Sequence, residues 1–291
     1  MSGNKDSYYL PSPSYWPIVG SLALLVMASG FILMLNKSGA GGITLLAGVA
    51  ILLFMMFGWF GQVIRESESG LYNKQVDKSF RLGMSWFIFS EVMFFAAFFG
   101  ALFYARVLSV PWLGSGDTMA QLWPQFVASW PSNSPGIEQV SGPGSLQKFT
   151  PMGAWGIPAI NTLLLLSSGA TLTWAHWGLL KNNRSQLVWG LVLTIALAIT
   201  FIGLQAQEYH HAYTELGLTL GAGIYGATFF MLTGFHGFHV MLGTTMLSVI
   251  LVRSIKGHFK ADSHFGFEGV AWYWHFVDVV WLGLFVFVYW L

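Results

Sequence analysis

A chain of 291 residues that is 55% hydrophobic, 17% aromatic and only 9% charged lies far from the roughly 25% charged residues of a water-soluble domain, which excludes a soluble globular fold and leaves an integral membrane protein. A net charge of +1, with no basic run interleaved with aromatics, offers no footprint for nucleic acid. With no cysteine, disulfides, zinc thiolates and iron-sulfur clusters are excluded as well.

The first residues, 1–16, balance Lys5 against Asp6 and lack a basic n-region. The apolar run behind them is too long for a signal peptide, so the first span is expected to be retained. Hydropathy predicts seven stretches able to cross a roughly 30 Å hydrocarbon layer as helices. They lie near 17–35, 43–64, 82–107, 157–179, 187–207, 222–252 and 269–290. The third carries Glu91 in FSEVMFF, with no cation within two turns of the same helix. Burial disfavours a lone charged carboxylate. Glu91 is therefore either a neutral acid bonded to a neighbouring helix or a group in proton or gas traffic, and in both cases it faces protein and not lipid.

Between the third and fourth stretches, 108–156 holds Pro111, Pro124, Pro131, Pro135, Pro143 and Pro151 among many Gly and Ser. That composition predicts a surface cap and not a second domain. His176, near the end of the fourth stretch, and His210 and His211, which follow Glu208 after the fifth, read as interfacial residues. The sixth stretch holds GFHGFHV, which places His236 and His239 three apart on one helix face. With His275 of the seventh, two imidazoles at that spacing suit a metal site. Against it stand the missing Glu-x-x-His sets of di-iron bundles and Gly234, Gly237 and Gly243, which favour close helix packing. Interhelical hydrogen bonding is thus the expected role of His236 and His239, with no metal and no catalytic residue in this chain. His275 and Asp278, again three apart, allow the carboxylate to orient the ring. The Trp and Tyr residues near both ends of the last stretch suit an interfacial belt.

With seven spans, Lys5, Arg65, Lys74, Lys78, Arg81, Lys181, Arg184, Arg253, Lys256 and Lys260 share one face, against Lys37, Arg106 and Lys148 on the other. This bias predicts a cytoplasmic N-terminus and an extracytoplasmic C-terminus. A transporter would show paired repeats and broken helices, and neither is visible.

The strings VIRES (63–67), FSEVMFF (89–95), LTWAH (172–176), LQAQEY (204–209), GFHGFHV (234–240) and HFGFEGVAWYWHFVDVVWL (264–282) resemble subunit III of the haem-copper cytochrome c oxidases, bacterial members included, from about residue 15 to the end. The resemblance implies an all-α membrane protein with seven transmembrane helices. A two-helix bundle (17–64) and a cytoplasmic loop (65–81) precede a five-helix bundle (82–291) that carries the extracytoplasmic loop 108–156, and the two bundles form a V-shaped lipid cleft. It further implies a subunit without a redox centre, in a proton-pumping complex of the bacterial inner membrane whose haems and copper belong to partner subunits I and II. Such a subunit stabilises subunit I, binds phospholipids and supports proton uptake and oxygen access. By the same resemblance Glu91 matches a carbodiimide-reactive buried carboxylate, Trp59 and Glu66 flank a lipid headgroup, and Arg253, Lys256 and His258 hold lipid phosphate. A cationic cluster at headgroup depth independently suits phosphate. Where many members carry a histidine pair after VIRES, this chain has Leu71 and Tyr72. The alternative within the superfamily is the third subunit of a quinol oxidase or of a nitric-oxide-reductase-like complex. Its shorter length there favours the cytochrome c type here.

Overall fold

The computed structural model describes residues 9, 10, 12–122, 126–132 and 149–291. Much of the N-terminal segment 1–16 and of the loop 108–156, including Lys5 and Lys148, therefore lies outside the described residues. The described residues are helical and contain no strand beyond one isolated bridge, Lys260 to Ser263. They divide into two compact units at 82/83.

In the first unit, α1 (Trp16–Leu35) and α2 (Gly41–Glu68) form an antiparallel hairpin. Their buried positions repeat every seventh residue: Trp16, Ala23 and Gly30 on α1, Gly41, Gly48 and Met55 on α2. A seven-residue seam keeps one face of each helix turned to its partner, and the small residues in it let the backbones approach. A methyl group at Gly48 would stand 2.6 Å from the Met27 backbone. One at Gly58 would collide with the Trp16 ring. The polar stretch 65–81 is mostly helical, because α2 runs to Glu68 and α3 (Lys74–Phe103) starts after five intervening residues, with Arg81 donating to Asp77 at 2.8 Å one turn back.

In the second unit α3 continues through a π-helical segment, Tyr104–Ser109, into α4 (Val110–Leu113), and α5 (Asp117–Leu122) follows. The core is a ring of four helices: α6 (Ile157–Leu180), α7 (Arg184–Thr214), α8 (Gly223–Lys256) and α9 (Phe265–Leu284), the last with a π-helical end, Phe285–Trp290. Local sequence sets their ends. Pro158 opens α6, the Asn183 side chain accepts a 3.1 Å bond from the Gln186 amide to cap α7, and Gly257, at φ 88°, stops α8 in the left-handed region. Small residues again decide the close contacts. A methyl group on Gly190 would stand 2.7 Å from the Ala175 methyl between α6 and α7, and one on Gly243 would stand 2.8 Å from the Trp274 ring between α8 and α9. Helix α3 instead stands off at side-chain distance, with Phe94 and Phe98 against Phe235 and Phe95 against Phe276.

Among the described residues, six helices are long and apolar enough to cross a membrane: Trp16–Leu35, Gly41–Glu68, Lys74–Leu113, Arg184–Thr214, Gly223–Lys256 and Phe265–Trp290. The chain is accordingly a multi-pass membrane protein. The stretch read as a fourth span, 157–179, is the 24-residue α6, which is not among the six. Its Asn161, Thr162 and Ser168 dilute the apolar run and are buried against other helices. Helix α8, at 34 residues, would be about 51 Å long at 1.5 Å per residue, well beyond a hydrocarbon core.

Candidate functional site

In the second unit the polar side chains of the core converge in pairs and short chains. Glu91, on α3, meets His239, on α8, at 2.9 Å between Oε2 and Nε2, across 148 residues of sequence. The other ring nitrogen of His239, Nδ1, lies 2.7 Å from the Phe235 carbonyl. A carbonyl only accepts, so Nδ1 carries a hydrogen. One proton is then shared between Nε2 and the Glu91 carboxyl: it sits on oxygen in a neutral pair or on nitrogen in an ion pair. The rings of Phe95 and Tyr273 flank the imidazole.

His236, 1% exposed, places Nε2 at 3.1 Å from the Val277 carbonyl of α9, which fixes the hydrogen on Nε2 by the same argument. Its ring packs against Trp281 and Phe201. Both tryptophans of the α9 seam donate to α6, Trp274 to Ser168 and Trp281 to Thr162, each at 2.9 Å. This satisfies indole N–H groups that would otherwise be costly to bury. Asp278 is buried, with Oδ2 3.6 Å from His275 Nδ1, an ion-pair distance and longer than a hydrogen bond. It also crowds Gly169 of α6, where a methyl group would strike the carboxylate. His275 itself is half-exposed.

His210 and His211 are expected at an interface, and Glu208, just before them, differs from both. His210 is exposed and His211, half-exposed, pairs with Glu215 at 3.2 Å, but Glu208 is 1% exposed. It accepts from Tyr289 at 2.6 Å and from Gln205 at 3.2 Å, and Gln205 in turn accepts from Asn161 at 3.3 Å. Helical phase explains the contrast with His210, since positions 208 and 210 lie on opposite sides of α7 and only the first turns inward.

In the first unit, Trp16 donates to Gln62 at 3.0 Å, and Gln62 and Tyr72 donate to the two oxygens of Glu66 at 2.8 and 2.9 Å. Burial, and then the adjoining Glu66 carboxylate, push the Tyr72 phenol well above its ordinary range. Trp59 is exposed. At the end of α8, in the second unit, Arg253 stacks on Phe259 at 4.6 Å, Lys256 is exposed and His258 half-buried. Arg184 adds a further cation, donating to the Ile255 carbonyl at 3.1 Å. Positions 253 and 256 share a helix face. At the α6 and α9 ends His176, His264 and Glu268 gather within 4.8 Å of one another, a grouping the sequence reading missed.

Helices with apolar exteriors and polar groups paired inside make this a multi-pass helical membrane protein built on buried hydrogen bonds between helices. A family model described as cytochrome c oxidase subunit III matches residues 6–291. The chain is 40% identical over 291 residues to cytochrome c oxidase subunit 3 of Dugong dugon, covering 100% of this chain and 99% of that protein. It is 42% identical over 287 residues to the Marchantia polymorpha protein of the same name, covering 98% and 97%. The chain belongs to the cytochrome c oxidase subunit III family and so to an oxidase complex with other subunits.

Proposed function

We propose that this chain is the non-redox subunit III of a proton-pumping oxidase that passes electrons from cytochrome c to oxygen. In this reading the haems and copper reside in subunits I and II. The chain covers a flank of subunit I, holds structural phospholipids, and supports proton uptake and oxygen access. The N-terminus is cytoplasmic and the C-terminus extracytoplasmic, in a bacterial inner membrane. Helix α6 serves as a seventh span, and the V-shaped lipid cleft belongs to the same reading.

The observation that carries the proposal is the match to one subunit family along nearly the whole chain. Two features of geometry support it. The described carboxylates and imidazoles of the core are engaged with partners inside the chain, which suits a scaffold. The cations at the end of α8, Arg253 and Lys256 with Arg184 beside them, suit a lipid phosphate, each worth about 1 kcal/mol at headgroup depth. Replacing Arg253 and Lys256 together by Gln and counting phospholipid per haem in the purified complex tests the lipid assignment. Loss of at least one tightly held phospholipid is expected. An unchanged count in a complex that retains this chain contradicts it.

A further inference from the structure

We infer that Glu208 is a buried proton site: it carries a hydrogen on Oε2 as a neutral carboxylic acid, and in that form it joins α7 to α6 and to the π-helical end of α9. The inference rests on hydrogen bonds within this chain and is independent of the lipid and support roles proposed above.

The two oxygens of the carboxyl are treated unequally. Oε1 accepts twice, from Tyr289 at 2.6 Å and from Gln205 at 3.2 Å, whereas Oε2 is buried without a hydrogen-bond partner among the described residues. In an anion both oxygens carry the charge, and a bare, desolvated one costs far more than an unpaired hydroxyl. A carboxylic acid accounts for the difference, with Oε1 as the carbonyl oxygen and Oε2 as the hydroxyl. A hydrogen on Oε1 would instead make the Tyr289 oxygen the acceptor. The hydroxyl hydrogen of Tyr289 would then lack a receiver, because Gln205, its other hydrogen-bond partner among the described residues, donates to it through Nε2 at 3.4 Å.

Nothing close at hand balances a negative charge. Glu208 is 1% exposed, and the side chains bonded to it, with Asn161 of α6 behind Gln205, are neutral. Of the two imidazoles that follow it in sequence, His210 is exposed, and His211 is half-exposed and matched by Glu215 at 3.2 Å. An unmatched buried charge is strongly unfavourable, and one proton removes it.

The same proton improves the hydrogen-bond count. Asn161, fully buried, holds Oδ1 as a second unpartnered acceptor. Turning its amide over would set that oxygen against Gln205 Oε1, which accepts from Asn161 Nδ2 at 3.3 Å, so the amide orientation is fixed by the network. With Glu208 ionised, the network holds two buried acceptors without partners. With the hydrogen on Oε2, one of the two becomes a donor.

The test is infrared difference spectroscopy at neutral pH on the intact oxidase complex containing this chain. The native complex should show a carboxylic acid C=O band that Glu208→Gln lacks. Tyr289→Phe removes one of the two bonds to Oε1, so it should keep that band and move it to higher wavenumber, an effect that a merely structural carboxylate would not produce. Differences confined to the carboxylate bands, or a carboxylic acid region unchanged in both variants, overturn the proposal. Should Glu208→Gln fail to assemble, Tyr289→Phe decides alone: an upward shift of one carboxylic acid band supports the site, and no shift overturns it.

Discussion

At the scale of residues, one shared proton defines the Glu91 and His239 pair. Because Phe235 fixes the hydrogen on His239 Nδ1, Nε2 needs a donor, and Glu91→Gln can still supply one through its amide. Glu91→Ala cannot, and it leaves a buried acceptor unpaired at a cost of about 1 to 3 kcal/mol. We expect Glu91→Ala to lower the thermal stability of the detergent-solubilised complex clearly more than Glu91→Gln. Equal losses would show that the hydrogen bond contributes nothing. Tyr72 gives a pH prediction. Its folded pKa is raised above the ordinary 10.0, so its contribution to stability is complete below about pH 10 and is lost as pH rises through the folded value. In alkaline difference spectra against Tyr72→Phe, the Tyr72 phenolate should appear late, well above the pH at which exposed tyrosines ionise. The apolar neighbours of Glu91 predict a buried carboxylate, whereas its side chain is half-buried. Its partner was not readable, because 148 residues separate them and helical spacing carries no information across helices. The burial of Glu208 was not legible for a related reason. Its neighbours look interfacial, and only the phase of α7 against Tyr289 buries it.

At the scale of elements, two glycines of α8 separate packing from propensity. A methyl group at Gly243 meets the Trp274 ring at 2.8 Å, whereas one at Gly237 meets nothing within 4 Å. Gly243→Ala should therefore destabilise by about 1 to 3 kcal/mol through overpacking against a fully buried indole. Gly237→Ala should be neutral, or stabilising by up to about 1 kcal/mol from helix propensity. Thermal dissociation of the complex carrying each variant checks this, and matching effects at the two positions would mean the α8–α9 approach is looser than described. The helices themselves were largely legible, because long apolar runs dominate them. Their ends were less so: α2 and α3 extend well into 65–81, since polar residues continue a helix as readily as they leave it. Helix α6 shows the limit of hydropathy. Asn161, Thr162 and Ser168 weaken its apolar signal because they bond inward, to Gln205 and to the tryptophans of α9, or to α6's own carbonyls.

At the scale of the whole molecule, most buried polar side chains among the described residues find partners within the chain, and many large apolar side chains are exposed, as suits a subunit whose effect is exerted through neighbours. The motifs that made the family legible, GFHGFHV and the run from His264 to Leu282, are the ones that build the α8–α9 seam and the His264 cluster, so recognition and packing draw on the same residues. What those motifs could not carry was which helix each polar group meets, because that depends on the order of four helices around a ring. The central claim is that this chain sustains a catalytic partner without supplying a redox centre. The most direct test is to purify the oxidase with and without this chain and follow turnover, proton stoichiometry and activity lifetime. We predict initial oxygen reduction largely preserved without it, with weakened pumping and an active lifetime shortened several-fold. Oxygen reduction abolished at once, with every haem and copper still in place, or all three quantities unchanged, would contradict the account.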